Sequence, residues 1–189
     1  MSPLADLERT CCARASRRSL LLGTGGLLAG SLIASNVEAE ATTPKGLVLS
    51  PNEGEHLIQR GGNVFIKAAP TNGSANLALG TQQVLAGNGI PVHRHFEMDE
   101  AFYVIGGSGT FILDDVQHPI GEGTTIFIPK NVWHGFQNPD RELNLLWIVS
   151  PPGLESLFRE LATRPGVPPV SRSKDQVNAI ARRYGTEFR

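Results

Sequence analysis

Short apolar runs separated by turn residues fill the stretch from Lys45 to Ser150. Leu47-Val48-Leu49, Val64-Phe65-Ile66, Leu77 to Leu85, Ala101 to Ile105, Thr110 to Leu113, Thr124 to Ile128 and Leu143 to Val149 read as strands. Between them lie Gly61-Gly62-Asn63, Asn72-Gly73-Ser74, Gly87-Asn88-Gly89, Gly106-Gly107, Asp114-Asp115, Gly121-Glu122-Gly123 and Asn138-Pro139-Asp140, clusters that favour turns. Many short strands at this spacing predict a sandwich or barrel. No helix-length pattern interrupts them, which argues against an α/β fold.

After Ser150 the period changes. Leu154, Leu157, Phe158 and Leu161 fall on one face of a helix. A proline-broken connection runs from Arg164 to Val170, and Ser173-Lys174-Asp175-Gln176 then reads as a capping box. Val177, Ile180, Ala181 and Tyr184 form a second helical stripe that Gly185 can terminate. Residues 151–189 are therefore expected to be an extension of two short helices packed outside an all-β domain over residues 45–150.

Residues 1–41 carry a different pattern. Arg14, Arg17 and Arg18 precede a weakly apolar, glycine-rich run from Leu20 to Ala34, and small residues follow. This is the layout of an export signal, and Ser16-Arg17-Arg18-Ser19-Leu20-Leu21 resembles the twin-arginine type. The expectation is a cleaved signal, a mature chain starting near residue 40 or 42, and a periplasmic protein. The run is too short and glycine-rich for stable membrane insertion. A general secretory signal or an uncleaved anchor is the plainer alternative.

Composition narrows the class. The chain has 189 residues, 40% hydrophobic and 19% charged, enough for one domain with a real core. A formal net charge of -1 gives no basis for nucleic-acid binding. Cys11 and Cys12 are the two cysteines, so the β domain has neither a disulfide framework nor a thiolate metal site.

The candidate chemistry sits in two short segments. His93 and His95 alternate on a strand and point the same way, and Glu100 follows after a short polar turn. His134 lies two or three strands further on. Three imidazoles and one carboxylate suit a divalent transition metal ion: Fe, Mn, Ni, Co, Cu or Zn. Four protein ligands leave coordination positions open, the mark of a catalytic rather than a structural site. His56 and His118 match no such pattern.

The glycines and prolines around these residues carry a resemblance. Gly87-x5-His93-x-His95-x4-Glu100-x6-Gly107 resembles the first cupin motif, and Gly123-x5-Pro129-x-Asn131-x2-His134-x3-Asn138 resembles the second. The one departure is Asn131, where the family usually has glycine; asparagine is the next most tolerant residue of a left-handed turn. The resemblance implies a small jelly-roll β-barrel, with His93, His95, Glu100 and His134 as metal ligands. The segment from Ser150 to Glu155 and the helices after it are similar to tails of single-domain bacterial cupins grouped with quercetin dioxygenases.

The expected function is a metal-dependent dioxygenase or related oxidoreductase acting on a small oxygenated organic substrate, with Glu100 doubling as a base. Other expectations for the same barrel are non-oxidative chemistry (decarboxylase, lyase or isomerase), ligand binding without turnover, or a purely structural metal. Phe102 and Val104 share the face of Glu100, and Phe136 shares that of His134. These three and Trp147 are the candidate pocket residues, with Trp133, Phe111 and Phe127 as further lining or core candidates. Glu97 and Asp99 could support the ligands or gate the mouth but read better as solvated turn carboxylates, and Arg60, Arg94 and Lys130 are candidate anion contacts that read better as surface charges. A homodimer is the expected assembly.

Overall fold

A computed structural model describes residues 45–138 and 140–189; the expected export signal lies outside the described residues. In chain order the strands are β1 (Glu55–Gln59), β2 (Gly62–Ala68), β3 (Ala78–Val84), β4 (Asn88–His95), β5 (Asp99–Leu113), β6 (Val116–Gly121), β7 (Thr125–Ile128), β8 (His134–Asn138) and β9 (Leu143–Ser150). Two helices follow, α1 (Leu154–Leu161) and α2 (Lys174–Arg183), and a last strand, β10 (Thr186–Phe188). The strands pair in the order β1-β2-β3-β9-β5-β8-β4-β10, with β6 and β7 also on β5, and every pairing is antiparallel.

β5 makes the sheet curl. Its first half pairs with β9 and β7, its second half with β8 and β6. The change of partners falls at Gly106 and Gly107, where the register against β9 shifts. Gly107 has φ +86°, and a Cβ there would sit 1.9 Å from the Glu142 carbonyl oxygen. Only glycine fits so close an approach. The two glycines, expected to separate two strands, instead bend one 15-residue strand.

The curled sheet encloses the core. Val104, Leu143, Leu145, Trp147 and Val149 line one inner face, all fully buried. Phe102 meets Phe136 edge-on across the core at 4.9 Å, and Phe111 lies 4.9 Å from Phe136. Such aromatic pairs add about 0.5–1.5 kcal/mol each beyond the area they bury. Two expectations fail here. Leu47-Val48-Leu49 is exposed and irregular: among the described residues strand pairing begins at Glu55. Phe127 is neither core nor lining: it is 62% exposed on the outer face of β7.

Both helices form where the periodicity places them. Leu154, Leu157 and Phe158 of α1 are buried, and Phe158 packs on Trp147 at 5.3 Å between ring centroids. α2 opens on the expected capping box: the Gln176 N–H donates to Ser173 Oγ, and the Ser173 N–H donates to Gln176 Oε1. Glu160 of α1 joins the helices, accepting from Tyr184 Oη (2.6 Å) and from Arg183. The C-terminal extension does not stay helical. Gly185, at φ +67°, turns the chain back, and β10 pairs with the edge of β4.

Candidate metal centre

His93, His95, Glu100 and His134 converge, each buried, with one ligand atom from each lying within 4.8 Å of all the others. β4 supplies two imidazoles because alternate residues share a face: His93 and His95 are buried, and Arg94 between them reaches outward to Glu187. Glu100 stands near the start of β5, opposite Ile128 and Val149. His134 opens β8 directly across from His93, with ring centroids 4.2 Å apart.

The turn that delivers His134 is tied to the β4–β5 turn. Asn131 adopts φ +67°, the left-handed geometry that asparagine tolerates. Its N–H donates to the His95 carbonyl at 2.6 Å, and the Lys130 N–H donates to Asp99 Oδ1 at 2.9 Å. Asp99 thus braces this turn, while Glu97 is solvated.

Each imidazole is fixed from behind. His93 Nδ1 lies 2.8 Å from the Pro91 carbonyl oxygen, and His134 Nδ1 lies 3.0 Å from that of Val132. A carbonyl only accepts, so both rings carry a proton on Nδ1. In the neutral ring this leaves the Nε2 lone pair facing inward. His95 Nδ1 is held instead by the Thr186 hydroxyl, at 2.9 Å. Orienting contacts of this kind are what metal-binding histidines need.

A cation suits the space between them. Glu100 Oε2 stands 2.9 Å from His134 Nε2 and 3.2 Å from His95 Nε2. Between a carboxylate oxygen and a neutral Nε2 lone pair, both acceptors, so short a separation needs a proton or a metal ion in between. Burial would raise the pKa of Glu100. The neighbouring charges of His95 and His134, and hydrogen bonds from both rings, outweigh it and hold the carboxyl well below its usual range. His93 is pushed well below the ordinary imidazole range, first by burial and then by repulsion from His134 and His95. Neutral imidazoles and an ionised carboxylate are the forms in which these side chains bind metal.

The centre opens onto a small cavity of about 30 Å³. Its floor is His93 and Glu100, and its apolar walls come from Phe102, Phe188 and the inward face of α1. Phe102 is therefore on the wall. Val104, Phe136 and Trp147 lie in the core instead, and none of them lines this cavity. Among the described residues, Trp147 Nε1 is buried without a hydrogen-bond partner. Trp133 lies elsewhere, stacked between Arg94 and Arg189, each 4.5 Å from its ring. His56 stacks on Phe65, and His118 is exposed.

Two residues of the site carry no sequence signal strong enough to single them out: Thr186 and Phe188 belong to β10, a strand of three residues. Arg60, a candidate from the sequence together with Arg94 and Lys130, sits at the β1–β2 hairpin on the cavity rim.

A family profile described as Cupin domain matches residues 80–150. Protein SchB of Streptomyces halstedii is 37% identical over 95 residues, which cover 49% of this chain and 69% of SchB. The uncharacterized protein MJ1618 of Methanocaldococcus jannaschii is 32% identical over 69 residues, 33% of this chain and 55% of that protein. Among solved structures, the polyketide cyclase RemF from Streptomyces resistomycificus superposes with a TM-score of 0.53 at 22% identity, covering 71% of this chain and 92% of RemF. KdgF from Halomonas sp. superposes with a TM-score of 0.51 at 18% identity, covering 57% of this chain and 94% of KdgF. At these identities the structural likeness establishes a shared fold: a mostly β, curled antiparallel sheet of the jelly-roll kind.

Proposed function

The chain belongs to the cupin superfamily, and we propose that it is a metalloenzyme in which His93, His95, Glu100 and His134 hold one divalent transition metal ion. One observation carries this reading: four buried donors face one another while all three Nδ1 atoms are engaged behind them. A bound ion would supply Lewis acidity toward an oxygen of the substrate. The chain's own residues then have distinct tasks. The three imidazoles fix the ion. Phe102, Phe188 and α1 exclude water. Glu100, the fourth donor, would take a proton from a substrate hydroxyl only when its bond to the ion opens, because the site otherwise holds its carboxyl ionised. The reaction class we favour is dioxygenation of a small oxygenated organic molecule.

Elemental analysis tests the centre first. Protein purified from its own host should carry about one transition metal ion per chain, and His93→Ala and His134→Ala should lose most of it while remaining folded. Equal metal in variant and parent would remove the ligand assignment. Oxygen uptake during turnover then decides the reaction class. A reaction unchanged without dioxygen would replace the dioxygenase with a lyase, decarboxylase or isomerase. We also propose export by the twin-arginine route, on the strength of Arg17-Arg18 and the glycine-rich run after them. Host protein found only in the cytosol with Met1 intact would contradict it.

A further inference from the structure

A second recess, of about 150 Å³, adjoins the metal cavity and shares Arg60 and Phe188 with it. Four cationic side chains line it, those of Arg60, Arg172, Lys174 and Arg189, and no carboxylate side chain does. The whole chain has a formal charge of -1, so this is a local concentration of positive charge.

Most of that charge is uncompensated. Arg189 pairs with Asp115 and lies on Trp133. Among the described residues Arg172 donates to the neutral carbonyl oxygen of Glu160, at 3.2 Å. Arg60 and Lys174 have no ion-pair partner among the described residues. Arg60 keeps contact with solvent, yet the protein packed around its guanidinium lowers its pKa from the ordinary value. It remains a cation, and one that has given up some hydration without a counter-ion in return.

We infer that this recess is an oxyanion-binding vestibule of the metal site, and that the ligand class is a small organic anion, a carboxylate, with an apolar body. The carboxylate meets Arg60, Lys174 and Arg172. The apolar body lies against Phe188, Val177 and Pro91 in the same recess. A guanidinium binds a carboxylate through paired, charge-assisted hydrogen bonds, so Arg60 at the junction is the side chain best placed to select it. The inference rests on the metalloenzyme reading for what happens to the ligand, but not for its binding.

The test is calorimetric titration of the full chain, metal-free and metal-loaded, with benzoate, its neutral isostere benzamide, and inorganic phosphate. Benzoate should bind at least tenfold more tightly than benzamide in both states. Arg60→Asn removes the charge yet suits φ +50° at that position. It should weaken benzoate at least tenfold and leave benzamide and metal content unchanged. Lys174→Gln, away from the hairpin, should weaken benzoate about threefold. Equal affinities for benzoate and benzamide, or an Arg60→Asn protein that binds benzoate like the parent, would overturn the vestibule. Phosphate binding as tightly as benzoate would overturn the role of the apolar wall. Failure of the metalloenzyme reading looks different: metal-free host protein that still prefers benzoate through Arg60.

Discussion

Thr186 supplies the side-chain hydroxyl behind His95, whereas the other two imidazoles rest on backbone carbonyls. It is fully buried and stands opposite His95 in the β4–β10 register. Thr186→Val keeps the shape and removes the hydrogen bond, leaving a buried imidazole nitrogen without a partner, at a cost of roughly 1–3 kcal/mol. Loss of such an orienting partner typically lowers metal affinity about 10–100-fold. Thr186→Ser should restore most of it. Competitive metal titration of the two variants gives the comparison, and a Val variant that binds metal like the Ser variant would show that the hydroxyl does no orienting. The cluster of His93, His95, Glu100 and His134 is legible in the amino-acid sequence, because His93 and His95 alternate on one strand and the residues around all four resemble the cupin motifs. Thr186 is not, because its partner is 91 positions away along the chain. Asn131 is legible for the local reason again: its side chain tolerates the left-handed turn that it adopts.

β10 is a three-residue strand that shields the metal centre, so what holds it matters more than its length suggests. Asn178 of α2 brackets Phe188: its Nδ2 donates to the Phe188 carbonyl at 3.1 Å, and its Oδ1 accepts from the Phe188 N–H at 2.8 Å. Arg94 and Arg182 both reach Glu187, and the Arg189 N–H donates to the Val92 carbonyl. The ion pairs are partly solvated and contribute little. The two Asn178 hydrogen bonds contribute about 1 kcal/mol each. Asn178→Ala should therefore cost about 1–2 kcal/mol of global stability, and amide exchange across Thr186–Phe188 should rise several-fold while β9 stays protected. Unchanged exchange in β10 would mean that the strand is held by its pairing with β4 alone. At this scale the hydrophobic pattern is a partial guide. Both helices and the cores of β2, β3, β7 and β9 follow their periodicity. β1, β6 and β10 are short and rich in polar residues, so their pairing comes from neighbours rather than from their own pattern. The Gly106-Gly107 pair signals a break and produces a bend, since a glycine dipeptide allows either and the partners on each side decide.

Across the whole molecule, the candidate metal centre links the stability of the fold to protons. In metal-free protein the folded-state pKa of His93 lies well below its ordinary value of 6.5. As pH falls through 6.5, the unfolded chain takes up a proton that the folded chain refuses, so stability declines. Glu100 acts in the same direction but in a more acidic window. Its folded-state pKa is below the ordinary 4.5, so its contribution is complete above 4.5 and is lost only in stronger acid. Of these two groups, therefore, it is His93 that lowers stability with falling pH between 6.5 and 4.5. A metal ion that binds only the folded site stabilises it by about 4 kcal/mol when free metal is a thousandfold above Kd. The low folded-state pKa of His93 limits proton competition for that ligand, so the gain survives mild acid better than it would at an ordinary imidazole. The measurement is the difference in melting temperature between metal-loaded and chelator-treated protein, taken at about pH 7.5 and again at about pH 5.5 on either side of the ordinary imidazole value. A large difference at the higher pH, largely kept at the lower one, is expected. His93→Ala should abolish the difference at both. A difference that His93→Ala leaves intact would mean that the ion binds elsewhere than among His93, His95, Glu100 and His134.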